Sequence, residues 1–131
     1  MNLLLDTQTL LWWREGHRKL GPRARAAIEQ GAASVVVSAV TGLEIAIKSQ
    51  SGRLRLRPAV DEWMPAALES SGFGTLNITM AHAIAVAALP VHHADPFDRL
   101  LIVQAQIERL TIVTSDTAFD DYDVKILDAR T

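Results

Sequence analysis

Met1-Asn2-Leu3-Leu4-Leu5-Asp6 begins the chain with a short apolar run closed by an acid. A half-exposed strand would alternate apolar and polar residues. An unbroken run of leucines reads instead as a strand covered on both faces, as in a parallel sheet. The pattern then repeats. A helix is expected through Leu10, Leu11 and Trp13, and Gly21-Pro22 starts a second that runs to about Gln30, where Gly31 ends it. Val35-Val36-Val37 within Ser34 to Ser38 is a β-branched run that makes a second buried strand. Helices are predicted over Ala39 to Gln50, from Pro58 to about Ser70 despite Pro65, and from Thr79 to before Pro90. The clearest helix begins at Asp95-Pro96 and ends near Arg109. Short strands are expected at Leu76 to Ile78, Thr111 to Thr114 and Tyr122 to Leu127. Strands alternating with helices indicate an α/β fold, a parallel sheet sandwiched between helical layers.

Composition narrows the chemistry. A length of 131 residues suits one compact domain that buries about two-thirds of its unfolded surface, so residues 1–131 are read as one domain. The absence of cysteine excludes disulfides, thiol catalysis and thiolate metal sites, leaving oxygen and imidazole as metal ligands. With 13 basic and 15 acidic residues the net charge is -2, so contact with nucleic acid has to be local. Arg53, Arg55 and Arg57 form the densest basic stretch, and a solvated surface is the favoured reading over phosphate contact. The N-terminus lacks a basic leader, and no apolar run approaches the roughly 20 residues of a membrane span. The expected compartment is the cytoplasm.

In parallel α/β folds ligands bind beyond the carboxyl ends of the strands. Asp6 directly follows the first strand, and Asp116 lies two residues past Thr114. Each, taken alone, reads first as a helix cap. Two further acids fall on helix faces that should be buried. Glu44 shares a face with Val40 and Ile47, and Asp98 stands below Leu101, Ile102 and Ala105. Asp98 also fits the third position of a helix capped by Asp95, with Pro96 at the first. Four converging carboxylates repel one another, and a divalent cation relieves that repulsion. With oxygen ligands and no histidine spacing typical of zinc, Mg2+ fits best and Mn2+ is a possible substitute. Such a site suits phosphodiester hydrolysis.

The segments Leu3-Leu4-Leu5-Asp6-Thr7, Leu10-Leu11-Trp12, Ser38 with Glu44-Ile45-Ala46-Ile47-Lys48, Leu89-Pro90, His92-His93, Asp95-Pro96-Phe97-Asp98-Arg99-Leu100-Leu101-Ile102 and Val113-Thr114-Ser115-Asp116 resemble, in this order, the PIN-domain ribonucleases. The similarity is to the VapC-like toxins of bacterial toxin-antitoxin pairs and spans nearly the whole chain. It implies a three-layer α/β/α PIN-like domain and a Mg2+- or Mn2+-dependent endoribonuclease acting on RNA. It further implies a cognate antitoxin that covers the site and a homodimer. On the matching positions, Asp6, Glu44, Asp98 and Asp116 would be the catalytic and metal-holding acids. Asp95 would be auxiliary, with helix capping its favoured role. Thr7, Thr114 and Ser115 would either orient carboxylates or phosphate or cap the next helices, and Arg99 would meet phosphate or balance the acids. Gln8 stands where this branch often has histidine, and Leu43 where tryptophan commonly precedes the helix glutamate.

The remaining candidates have plain readings. His92-His93 is expected to be an exposed loop pair rather than a metal or acid-base group. His17 and His82 are expected at the surface or beside caps, Trp12, Trp13 and Trp63 in the core or an interface, and Asp120, Asp121 and Asp123 in a solvated turn. Two rival functions are an inactive PIN-fold module that binds RNA or a partner, and a phospho-acceptor receiver. The receiver should carry adjacent acids after the first strand and a lysine after a late one, whereas Asp6 stands alone and Lys125 is placed within the last strand.

Overall fold

A computed structural model describes residues 1–131. Its elements are β1 (Asn2–Leu5), α1 (Thr7–Glu15), α2 (Pro22–Ala26), β2 (Ser34–Ser38), α3 (Ala39–Gln50), α4 (Val60–Ser71), β3 (Gly74–Leu76), α5 (Met80–Ala85), α6 (Pro96–Glu108), β4 (Thr111–Thr114) and β5 (Lys125–Asp128). The strands form one sheet in the order β3-β2-β1-β4-β5, and every pairing is parallel. β1 is central. The fold is a three-layer α/β/α sandwich, as the alternating pattern requires.

The leucine run shows why. Side chains alternate across a strand, so Leu3 and Leu5 enter one core while Leu4 enters the other, and all three are fully buried. The first core is closed by Leu10, Leu11 and Trp12 of α1, Ala24 of α2 and the apolar face of α4, including Trp63 and Met64. The second is closed by Leu101, Ile102 and Ala105 of α6 with Phe119 and Tyr122. α3 serves both, placing Ile45 in the first and Val40 in the second. The tryptophans therefore pack in the core, as their helical contexts indicated.

Several boundaries differ from the sequence reading. The second helix is α only to Ala26 and continues as a π-turn over Ala27–Gly31. The third strand is Gly74–Leu76 rather than Leu76 to Ile78. Leu76 pairs with Ser38 at the end of β2, so the ladder stops there and Ile78 is exposed. The last strand begins at Lys125 rather than Tyr122, because Tyr122 ends a 3-10 turn and turns its ring into the α6 core. α4 runs on through Pro65. No helix is long and apolar enough to cross a membrane.

Gly21 marks a close backbone approach. Its N–H donates to Ala129 C=O at 2.8 Å, Arg23 N–H donates to Thr131 C=O at 2.9 Å, and a Cβ on Gly21 would lie 2.1 Å from the Thr131 backbone. The segment after β5 is thereby laid across the start of α2. Gly21→Ala should displace that segment and destabilise the chain by about 1–3 kcal/mol in chemical denaturation, as overpacking does; an unchanged midpoint would show that the approach is easily relieved.

Candidate metal centre

The parallel register between β1 and β4 places their carboxyl ends side by side, Leu5 opposite Val113. Asp6 N–H extends that ladder to Val113 C=O at 3.2 Å, so the first acid leaves the sheet beside the Thr114–Asp116 turn. Asp6 is buried. One oxygen caps α1 by accepting from Thr9 N–H at 2.8 Å, and the other accepts from Thr114 Oγ1 at 2.5 Å. The two readings of Asp6, cap and site acid, thus use different oxygens of one carboxylate. Asp116 is exposed. Its Oδ1 accepts from Ala118 N–H, and its own N–H donates to Thr114 Oγ1 at 3.0 Å.

The helices deliver the other two acids. Glu44 lies in the second turn of α3, where Oε1 accepts from Thr7 Oγ1 at 2.5 Å and Oε2 accepts from Lys48 Nζ at 2.7 Å. Ile47, expected to share a buried face with Glu44, is exposed, because that side of α3 turns outward after Ile45. Asp98 occupies the first turn of α6. Asp95 is the helix cap, as expected, and accepts from both Phe97 N–H and Asp98 N–H.

Asp6, Thr7, Glu44, Asp95, Asp98, Ser115 and Asp116 line one cleft of about 370 Å³, whose rim also carries Gln8, Lys48 and Arg53. Acids 110 residues apart in sequence therefore share one pocket. Thr7 and Thr114 orient carboxylates through their hydroxyls. Ser115 borders the cleft without a side-chain hydrogen bond to an acid. The larger neighbouring groove, of about 540 Å³, is apolar in character and takes Arg55 and Arg57, so the basic stretch divides between two surfaces.

Arg99 departs from expectation. It is buried and faces away from the cleft. Its guanidinium donates to the carbonyls of Pro90 at 2.8 Å, Leu89 at 3.1 Å and Val86 at 3.2 Å, and to Tyr122 Oη at 3.3 Å. It neither reaches phosphate nor neutralises an acid of the cleft. A carbonyl cage consumes its donors because the residue after Asp98 points to the other side of α6.

Of the histidine pair, His92 is an exposed loop residue as expected, whereas His93 differs from its plain reading. His93 Nε2 lies 2.8 Å from Asp98 Oδ2, and ligand atoms of His93, Asp98 and Asp116 all fall within 4.8 Å of one another. His93 is thus the site residue that sequence reasoning set aside; its position in the short loop leading to the Asp95-Pro96 cap was the available signal. Lys48 was also given no role, although its four-residue spacing from Glu44 on a helix points to the pair. His82, expected at the surface or beside a cap, is the latter and is buried. It completes a capping box with Thr79 and meets Glu108 at 2.9 Å. Asp120 and Asp121 lie in an exposed 3-10 turn and Asp123 just beyond it, as expected. Lys125 opens β5 at the end remote from the strand carboxyl ends, which removes the receiver reading.

The electrostatics call for a cation. Burial raises the Asp6 carboxyl above its ordinary value, against the lowering effect of its bonds from Thr114 and Thr9, and the Asp116 charge raises it further. Burial likewise raises Asp98 to about 6, with the His93 hydrogen bond opposing and the charges of Asp95 and Glu44 reinforcing the rise. The hydrogen bond to Asp98 raises His93. Within ion-pair distance the cleft has only Lys48 on Glu44 and His93 on Asp98, leaving Asp6, Asp95 and Asp116 without a cationic side chain. An oxygen-rich donor set with excess negative charge fits a hard divalent ion.

A parallel α/β sheet with carboxylates gathered beyond its strand ends defines the class: an acidic cleft at the edge where such folds bind ligands. The match to a family model is specific. The PIN domain model covers residues 3–125, and the chain belongs to the PIN domain family. No curated protein sequence matches the chain. Among solved structures, it is similar to VapBC2 from Rickettsia felis bound to a promoter DNA fragment, at TM-score 0.74 and 13% identity over 97% of this chain and 98% of that one. A toxin-antitoxin complex from Klebsiella pneumoniae is similar at TM-score 0.68 and 22% identity, with 97% of each chain covered. FitAcB from Neisseria gonorrhoeae is similar at TM-score 0.65 and 22% identity, again over 97% of each.

The raised carboxyls have a consequence for stability. Between the ordinary carboxyl value and about 6, folded metal-free protein holds a proton on Asp98 that the unfolded chain has lost, so the contribution of this group to stability falls as pH rises through that window. In EDTA, Asp98→Asn should therefore melt above wild type at pH 7.5, by the equivalent of about 1–2 kcal/mol, with the advantage vanishing near pH 4. A variant less stable than wild type at pH 7.5 would contradict burial as the dominant influence. Mg2+ should raise the wild-type melting temperature at pH 7.5 more than at pH 5, and should leave Asp98→Asn nearly unmoved.

Proposed function

We propose that this chain, residues 1–131 forming one PIN domain, is a VapC-type toxin: a Mg2+-dependent endoribonuclease held in check by a cognate antitoxin and acting in the cytoplasm. The observation that carries this reading is the convergence of Asp6, Glu44, Asp98 and Asp116 on one cleft at the carboxyl ends of a PIN sheet. Membership in a family whose members are generally nucleases supports it, as does fold similarity to structures described as toxin-antitoxin complexes.

The residues divide the work. Asp6, Glu44, Asp98 and Asp116 would hold Mg2+, with Mn2+ as a substitute. When bound, the ion would supply Lewis-acid polarisation of a phosphodiester and a more acidic water. Thr114 and Thr7 each donate to one oxygen of Asp6 and Glu44, which leaves these carboxylates little rotational freedom. Lys48 and Arg53 stand at the rim, where they would meet the backbone phosphates flanking the scissile bond. This gives the local basic contact that a net charge of -2 requires.

Exposed apolar residues support the protein partners. Leu43 and Ile47 are exposed on α3, and the groove lined by Ala46 of the same helix with Leu54, Leu56 and Val60 is a surface suited to an antitoxin segment. Met80 and Ile84, four residues apart on α5, form a separate exposed apolar face suited to a second copy of the chain.

The decisive experiment is cleavage of a mixed RNA pool by purified protein with Mg2+, with Mn2+ and with chelator. Asp98→Asn should lower cleavage by about 100-fold or more, whereas Asp95→Asn, whose amide still caps α6, should stay within about tenfold. Absence of turnover with every cation would favour the binding-module alternative, and loss only in Asp95→Asn would overturn the assignment. In sedimentation, the wild type should be a dimer and the double substitution Met80→Glu with Ile84→Glu a monomer; a monomeric wild type would refute the role of the α5 face.

A further inference from the structure

We infer that His93 is itself a metal ligand, so that one ion is held by His93 Nε2 together with carboxylate oxygens of Asp98 and Asp116, and the centre prefers Mn2+ and other imidazole-accepting ions to Mg2+. The inference rests on the metal-dependent reading above and adds a nitrogen donor to a site otherwise read as all oxygen.

The separations suit a shared ion. Ligands about 2.1 Å from one cation lie about 3 Å apart when adjacent and about 4.2 Å apart when opposite. His93 Nε2 is 2.8 Å from Asp98 Oδ2, the separation of an adjacent pair, and one ligand atom from each of His93, Asp98 and Asp116 lies within 4.8 Å of the other two. The imidazole–carboxylate hydrogen bond thus has the length of an edge between adjacent ligands of one ion, whose binding would release the shared proton to solvent.

The loop that carries His93 is built to hold it there. Arg99, buried behind the cleft, donates to Pro90 C=O at 2.8 Å and to His93 C=O at 3.4 Å. Tyr122 Oη accepts from His92 N–H at 3.2 Å and donates to His93 C=O at 3.5 Å. At the other end of the loop the Asp95 cap orients Asp98. A buried guanidinium without a carboxylate partner is costly, and here every one of its bonds goes to this loop, to the turn just before it, or to the tyrosine that braces it. The same bracing sends the two histidines in different directions: the His92 ring packs edge-on against Tyr122 at 5.1 Å, and only His93 enters the acidic cluster.

Imidazole is a good ligand for first-row transition ions, whereas Mg2+ favours oxygen and water. One nitrogen among carboxylates should therefore shift selectivity without abolishing Mg2+ binding.

Pulsed EPR of Mn2+ bound to the full chain tests this directly. Wild type and His92→Gln should show the nitrogen coupling of a coordinated imidazole, and His93→Gln should lack it. Selective 15N-histidine labelling of wild type should change the coupling, a check that requires no substitution. By calorimetry, His93→Gln should weaken Mn2+ about tenfold or more and Mg2+ by less than about threefold. Tight Mn2+ binding without nitrogen coupling, coupling that survives in His93→Gln, or failure of Mn2+ to bind would each overturn the inference. Coupling that depends on His93 in a protein that cleaves no RNA would uphold the ligand while refuting the nuclease. Mg2+-dependent cleavage without coupling would do the reverse.

Discussion

The pairing of β1 with β4 is the constraint on which the site depends. It sets Asp6 beside Thr114, and the 2.5 Å hydrogen bond between them ties the first strand to a segment more than a hundred residues later. A slip of one residue in that register would turn Leu3 and Leu5 out of their core and exchange the faces of every side chain in the strand. The hydrophobic cores therefore hold the geometry of the acidic cleft in place. Full burial of Leu3, Leu4 and Leu5 across two cores is what makes the register unambiguous.

The helical acids are placed by a different means. Glu44 projects from the second turn of α3 and Asp98 from the first turn of α6, and the Thr7 hydroxyl and the His93 imidazole then select the carboxylate orientations. Arg99 shows how far this support extends from the chemistry. Its charge is absorbed by the carbonyls of a loop, and the loop presents an imidazole to Asp98. Neighbouring residues in the chain, Asp98 and Arg99, thus act on opposite sides of one helix and converge on one site.

The cost of this arrangement is electrostatic. Burial lifts Asp6 and Asp98, and nearby acids lift them further, so the folded chain without a cation carries a strain that its unfolded form does not. Lys48 offsets part of it at Glu44 alone. A site that was self-neutralising would have little affinity for a divalent ion; the incomplete compensation here is the charge balance that the proposed metal binding would need.

Much of this was legible in the residues themselves. The leucine and valine runs of β1 and β2, the Asp95-Pro96 start of α6 and the Thr79 cap are local signals, and local physics governs them. Acids at strand ends follow from the general geometry of parallel sheets. Boundaries were lost where tertiary contacts overrode local preference, as when Tyr122 left the last strand for the α6 core and Ile78 fell beyond the end of its partner strand. The roles of His93 and Arg99 were decided by packing alone. Sequence records which donors and charges are present, but whether a histidine meets a carboxylate or a guanidinium turns from the cleft depends on side-chain directions that exist only once helix, loop and sheet are assembled. Composition and periodicity determined the layered fold and its acids; the three-dimensional packing decided which of them share a cleft, because contact is a matter of a few ångströms and chain order carries no distances.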